Sequence, residues 1–169
     1  DLSDDGRAIA LSDWDGDGDV DMWISNRNAP RLRFMRNDSP AENHFVSLQL
    51  IANGTTTNRD AIGARVEVVT SEGRSIKTLR AGEGYLAQSG KELQVGLGGA
   101  SEIERLIVRW PDRMGTVEEF SGLAVDQRYE IKQGEGKVRP LGTTRSELVL
   151  KPSPPVLPAP RETARIPLV

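Results

Sequence analysis

The sequence predicts an all-β chain: an antiparallel β-sandwich preceded by a hairpin whose turn is a metal loop. Two observations carry this. Short apolar or alternating runs recur between Arg7 and Ile131, separated by turns rich in Gly, Asn and Asp, without the 3.6-residue spacing of amphipathic helices. Near the start, Asp recurs at every second position, as Asp13, Asp15, Asp17, Asp19 and Asp21, around Gly16 and Gly18. In an extended strand those side chains would form a row of like charges. Glycines that accept positive φ let a tight loop fold the carboxylates around one point instead.

The spacing is that of the first half of the EF-hand loop, D-x-D-x-D-G, with Gly18 at the sharp-turn position. Hard oxygen donors at this density suit Ca²⁺. Asp13, Asp15 and Asp17 are expected as direct ligands, Asp19 through its carbonyl, and Asp21 as the closing carboxylate. Ile24 stands where an EF-hand has its bidentate Glu, and the flanks are not helical, so the loop joins strands. Without that Glu, affinity is expected near the weak extracellular range, about 10⁻⁴–10⁻³ M.

The elements come in this order. Residues 7–11 and 20–25 are the strands flanking the loop. Residues 31–36 alternate basic and apolar between two turns. His44 to Ile51 is a strand with Phe45, Leu48 and Leu50 as core candidates. A polar loop leads to the strand 62–70, and residues 71–74 turn tightly into 75–79. Further strands are expected at 93–97, 103–110, 116–120 and 128–131, and the one helix candidate lies near 121–126. Residues 140–169 hold seven of the ten Pro and read as an extended linker or tail.

Composition narrows the function classes. A chain of 169 residues with 37% hydrophobic content supports one ordinary domain with extensions. The net charge is −3, yet residues 1–21 hold eight Asp against Arg7, so the acidity is concentrated at the loop. No basic stripe with interleaved aromatics points to nucleic acid, and no apolar stretch is long enough for membrane insertion. The absence of Cys excludes disulfides, thiolate zinc sites and thiol catalysis. His44, the sole histidine, stands at a strand entrance and reads as a hydrogen-bonded edge residue rather than a general base.

Gly6 to Asn26, through Asp13-Trp-Asp-Gly-Asp-Gly-Asp-Val-Asp21, resembles an FG-GAP (VCBS-type) repeat, the calcium-loop unit of integrin-α-like β-propellers. Farther on, Asn58-Arg-Asp-Ala-Ile-Gly-Ala-Arg-Val66, Gly82-Glu-Gly-Tyr-Leu-Ala-Gln-Ser89, Val95-Gly-Leu-Gly98 and Val108-Arg-Trp-Pro111 resemble the blocks of the ASPIC/UnbV domain, which follows such repeats in secreted bacterial proteins and in the cartilage acidic protein family. The turn Asp112-Arg-Met-Gly115 is longer than the Ser-Gly turn usual there. The resemblance implies a partial propeller blade at 1–38, an ASPIC/UnbV-like sandwich at 39–136 and a Pro-rich linker or tail at 137–169. It also implies an upstream propeller in the same, longer chain and an extracellular or periplasmic location. It assigns the domain no agreed activity.

Outside the loop, four residues are candidates for a ligand or partner surface. Asn58, Arg59 and Asp60 cluster before a strand: Arg59 is placed to grip a carboxylate or sugar, and an Asp60–Arg65 pair would instead pin the loop. Trp110 reads either as a core anchor or as an exposed stacking platform. Two functions remain. One is a calcium-binding scaffold module contacting a protein or glycan, with no catalysis of its own. The other is an accessory domain of a larger secreted enzyme whose active site lies elsewhere. Calcium binding without turnover distinguishes the first, and activity confined to the full-length chain the second.

Overall fold

The computed structural model describes residues 4–39 and 42–142. Most of the tail expected at 137–169 lies outside these residues. Among the described residues every regular element is a strand: β1 Gly6–Ser12, β2 Asp21–Asn26, β3 Leu32–Met35, β4 His44–Ile51, β5 Arg65–Thr70, β6 Gly73–Thr78, β7 Leu93–Gly98, β8 Glu102–Ile103, β9 Arg105–Arg109, β10 Val117–Phe120, β11 Leu123–Ala124, β12 Gln127–Lys132 and β13 Val138–Pro140. The helix candidate near 121–126 is replaced by β11. Positive φ at Gly122 (67°) and Asp126 (55°) puts a turn on either side of it.

Two four-stranded sheets face one another, in the orders β10-β9-β5-β6 and β13-β12-β4-β7, while β8 and β11 pair separately. Alternation builds the core. Val66 and Val68 on β5 and Leu106 and Val108 on β9 face Val46, Leu48 and Leu50 on β4 and Ile131 on β12. Phe45 therefore points away from the core: it differs in parity from Leu48 and Leu50, and Val46 takes the inward place assigned to it. Most pairings are antiparallel, but β4 and β12 run parallel, Val46 opposite Gln127 through Ile51 opposite Lys132. The intervening chain includes all four strands of the other sheet as well as β7, and so supplies the long crossover that a parallel pair requires. The sheet also continues past Gly136, because β13 pairs with β12 from Val138 to Pro140.

The hairpin forms its own three-stranded sheet, β1-β2-β3. Packing on the sandwich through Leu32 to Met35 would bury that strand, yet Leu32 is 60% and Met35 43% exposed. The contact runs instead through the Asp-rich loop and the adjoining end of β1, at the far end of the hairpin. Leu11 N–H donates to Ser89 Oγ at 3.2 Å, Gly90 N–H to the Leu11 carbonyl at 3.1 Å, and Gln94 Nε2 to the Gly18 carbonyl at 3.0 Å. Gly18 also lies directly under the ring of Phe45.

Candidate metal centre

The loop between β1 and β2 is built around Asp13. Its Oδ1 accepts the Gly16 and Asp17 amides at 2.8 and 3.1 Å, and its Oδ2 accepts the Gly18 amide at 3.1 Å. Gly16 (φ 74°) and Gly18 (φ 97°) turn the backbone so that these donors converge. Asp21, at the start of β2, is buried. It accepts Trp14 N–H on Oδ2 and Asn37 N–H on Oδ1, both at 2.9 Å, and so ties the loop to the end of β3. Asp17 Oδ1 accepts the Asp19 amide at 3.0 Å.

Asp15 differs from the others. It is 6% exposed, and its Oδ1 is buried with no hydrogen-bond partner among the described residues. Carboxylate oxygens of Asp13, Asp15 and Asp21 lie within 4.8 Å of one another. Asp17 stands outside this trio, but its charge acts on it. Burial pushes the Asp15 carboxyl up from its ordinary range, with Asp17, Asp21 and Asp13 adding to the effect, and burial likewise pushes Asp13 up against the Gly18 and Gly16 amides. Two carboxylates about 4–5 Å apart repel by roughly 3–4 kcal/mol at an effective dielectric near 20. A cation would offset that cost, so an oxygen-only donor set with one buried unpartnered oxygen fits a hard divalent ion.

Residues beyond the loop support it from the sandwich. Gln94 on β7 donates its Nε2 to Asp13 Oδ2 at 3.2 Å as well as to the Gly18 carbonyl. Neither Gln94 nor Phe45 is legible as a site residue in the sequence, because nothing local marks them. His44 Nδ1 lies 2.6 Å from Asp126 Oδ2, and Phe45 N–H donates to Asp126 Oδ1, which holds the start of β4 beside the loop.

The other candidates divide. Asn58 Oδ1 accepts Ile62 N–H at 2.7 Å and its Nδ2 donates to the Ile62 carbonyl at 2.8 Å, so both of its polar ends shape the turn. Asp60 pairs with Lys91, not Arg65, and that pairing holds its carboxyl below the usual range. Arg65 lies within β5, opposite Thr78 and Arg109. Arg59 is exposed. Trp110 is 1% exposed, with Nε1–H donating to Glu118 Oε2 at 2.5 Å. It is a core anchor, and the stacking-platform reading is corrected: its position at the end of β9 turns the indole inward, in step with Leu106 and Val108.

Fold and site together define an all-β module: a sandwich carrying an oxygen-donor loop on an attached hairpin. Residues 54–138 match the ASPIC and UnbV family, and the chain belongs to that family. No curated protein matches the chain. A solved structure of a candidate cell adhesion protein from Bacteroides uniformis aligns with 81% of this chain and 89% of its own length, at 9% identity and a TM-score of 0.31.

Proposed function

We propose that the chain is a calcium-binding extracellular or periplasmic scaffold module without catalysis of its own. The observation that supports this reading is Asp15 Oδ1, buried beside Asp13 and Asp21 with no hydrogen-bond partner among the described residues. Asp13, Asp15, Asp17 and Asp21, with the Asp19 carbonyl, would hold the ion, whose chemistry here is structural: it cancels carboxylate repulsion and stiffens the turn. The three-stranded hairpin is then the end of an FG-GAP/VCBS propeller lying upstream. Both of its faces are apolar, with Trp23 beside Phe34 on one and Met22 beside Met35 on the other, as a blade between two neighbours requires. The sandwich is left to contact a protein or glycan. Calorimetry tests the reading: calcium should bind at about 10⁻⁴–10⁻³ M, and Asp15→Ala should abolish the heat. No calcium heat in the parent, or the same heat in the variant, would overturn it.

A further inference from the structure

The outer face of the β13-β12-β4-β7 sheet floors a groove of about 420 Å³, walled by the hairpin on one side and by the chain between β6 and β7 on the other. That volume is in the range of small-molecule sites. One cross-strand row crosses the floor: Ser47 on β4 stands opposite Gln94 on β7 and opposite Arg128 on β12, and alternation turns the row outward with Phe45. Ser47 is 4% exposed, and its hydroxyl donates to Glu92 Oε1 at 2.6 Å. Arg128 Nε donates to the same oxygen at 2.5 Å, and Gln94 Nε2 is held by Asp13 and the Gly18 carbonyl. The row is thus fixed in place. Glu92 Oε2, Gln94 Oε1 and the two Arg128 Nη atoms are left without a hydrogen-bond partner among the described residues.

The charges lining the groove balance. Asp13, Glu83 and Glu92 stand against Lys77, Arg80 and Arg128. Arg128 pairs with Glu92 and Arg80 with Glu83 at 4.0 Å, while Asp13 is answered by the Gly16, Asp17 and Gly18 amides and by Gln94. Neither sign is in excess, so a strongly charged ligand gains little there. An extended peptide is disfavoured for another reason. It adds to a sheet through free edge groups, and β4, in the middle of this floor, has both edges taken by β12 and β7. Fixed side-chain donors and acceptors remain, beside Leu11 and Val20, which are 40% and 37% exposed. A sugar ring suits that mixture: each hydroxyl both donates and accepts, and the C–H faces are apolar.

We propose that this groove binds a neutral saccharide. Arg128 Nη donates to a ring hydroxyl, Glu92 Oε2 and Gln94 Oε1 accept from hydroxyls, and Leu11 and Val20 take the apolar edge of the ring. The groove would be the glycan-contacting surface of the scaffold module proposed above and rests on that reading, but it requires no cation at Asp15. A cation in the loop would take up the Asp13 charge, so binding is to be measured both in calcium and in chelator.

The test applies the full chain to an array of neutral, uronic-acid and sulfated glycans with peptides printed alongside. Neutral glycans should give the signal, and titrating the best of them should shift the Ser47 and Gly90 amide resonances. Arg128→Ala and Glu92→Gln should each weaken that binding about tenfold, as loss of a hydrogen bond to a charged group does. Arg105→Ala, on the other sheet, should leave it unchanged. Silence from every neutral glycan, signal confined to acidic glycans or to peptides, or equal binding by the parent and both groove variants would overturn the proposal. Silence toward glycans together with calcium heat would strike the groove and leave the calcium scaffold standing. Glycan binding without calcium heat would do the reverse.

Discussion

Gly18 and Phe45 are in direct apposition: a Cβ built on Gly18 would fall 2.2 Å from Cε1 of the Phe45 ring. The glycine that the loop needs for its turn (φ 97°) is also the point at which the loop meets the sandwich. One residue thus serves two constraints, backbone conformation and close approach.

Gly18→Ala should therefore cost more than strain alone. Gly122→Ala provides the comparison, since Gly122 has positive φ (67°) but nothing within 4 Å of its built Cβ. Gly122→Ala should lose roughly 1 kcal/mol and Gly18→Ala roughly 2–4 kcal/mol. Phe45→Ala should rescue part of the Gly18→Ala loss, a non-additivity that urea titration of the four proteins would measure.

Removing the metal should reverse the ranking of two proteins. In chelator, Asp15→Asn should be more stable than the parent by about 1 kcal/mol, because it takes away the carboxylate that burial and Asp17 penalise. In excess calcium the parent should be the more stable. Thermal unfolding under both conditions checks this, and one ranking in both would refute it.

Gln94→Ala should weaken calcium about tenfold while leaving sandwich stability within about 0.5 kcal/mol. Gln94 reaches the site by hydrogen bonds to Asp13 and the Gly18 carbonyl, as an outer-shell residue does. Amide exchange at Leu11 and Gly90 should quicken in the same variant, as it should in the parent on adding chelator.

Asp112 gives a pH dependence with a definite sign. The Thr116 side chain, followed by the Thr116 amide, holds its carboxyl below the ordinary 3.8. A depressed carboxyl contributes stability that is present above 3.8 and lost as pH falls through the folded value. Asp112→Ala should thus lower the Tm at neutral pH, and the gap to the parent should close in acid. A gap independent of pH would mean that the Asp112 charge contributes nothing.

Trp110→Ala should cost about 3–5 kcal/mol, as expected for a buried indole. Trp110→Phe should cost less but leave Glu118 without its Nε1–H donor. Intrinsic fluorescence during urea unfolding would follow both, with Trp14 and Trp23 reporting on the hairpin.

Much of this protein is written locally. Strand positions follow from alternation, turns from Gly, Asn and Asp, and the gathered acids from the spacing of Asp13, Asp15 and Asp21, since each signal acts within a few residues. What escaped was decided by partners distant in sequence. Which way Phe45 faces depends on parity set by the sheet, and the partner of Asp60 is Lys91 rather than Arg65, which stands nearer in sequence. Trp110 has the parity of Leu106 and Val108, but only the packed sheets decide that this side of the strand is the buried one. The parallel pairing of β4 with β12 and the support of Asp13 by Gln94 join residues about eighty positions apart. Periodicity and turn chemistry specify which surface each strand can bury. Which surface it does bury, and against what, is settled only when the sheets pack and each polar group takes the partner that packing brings within reach.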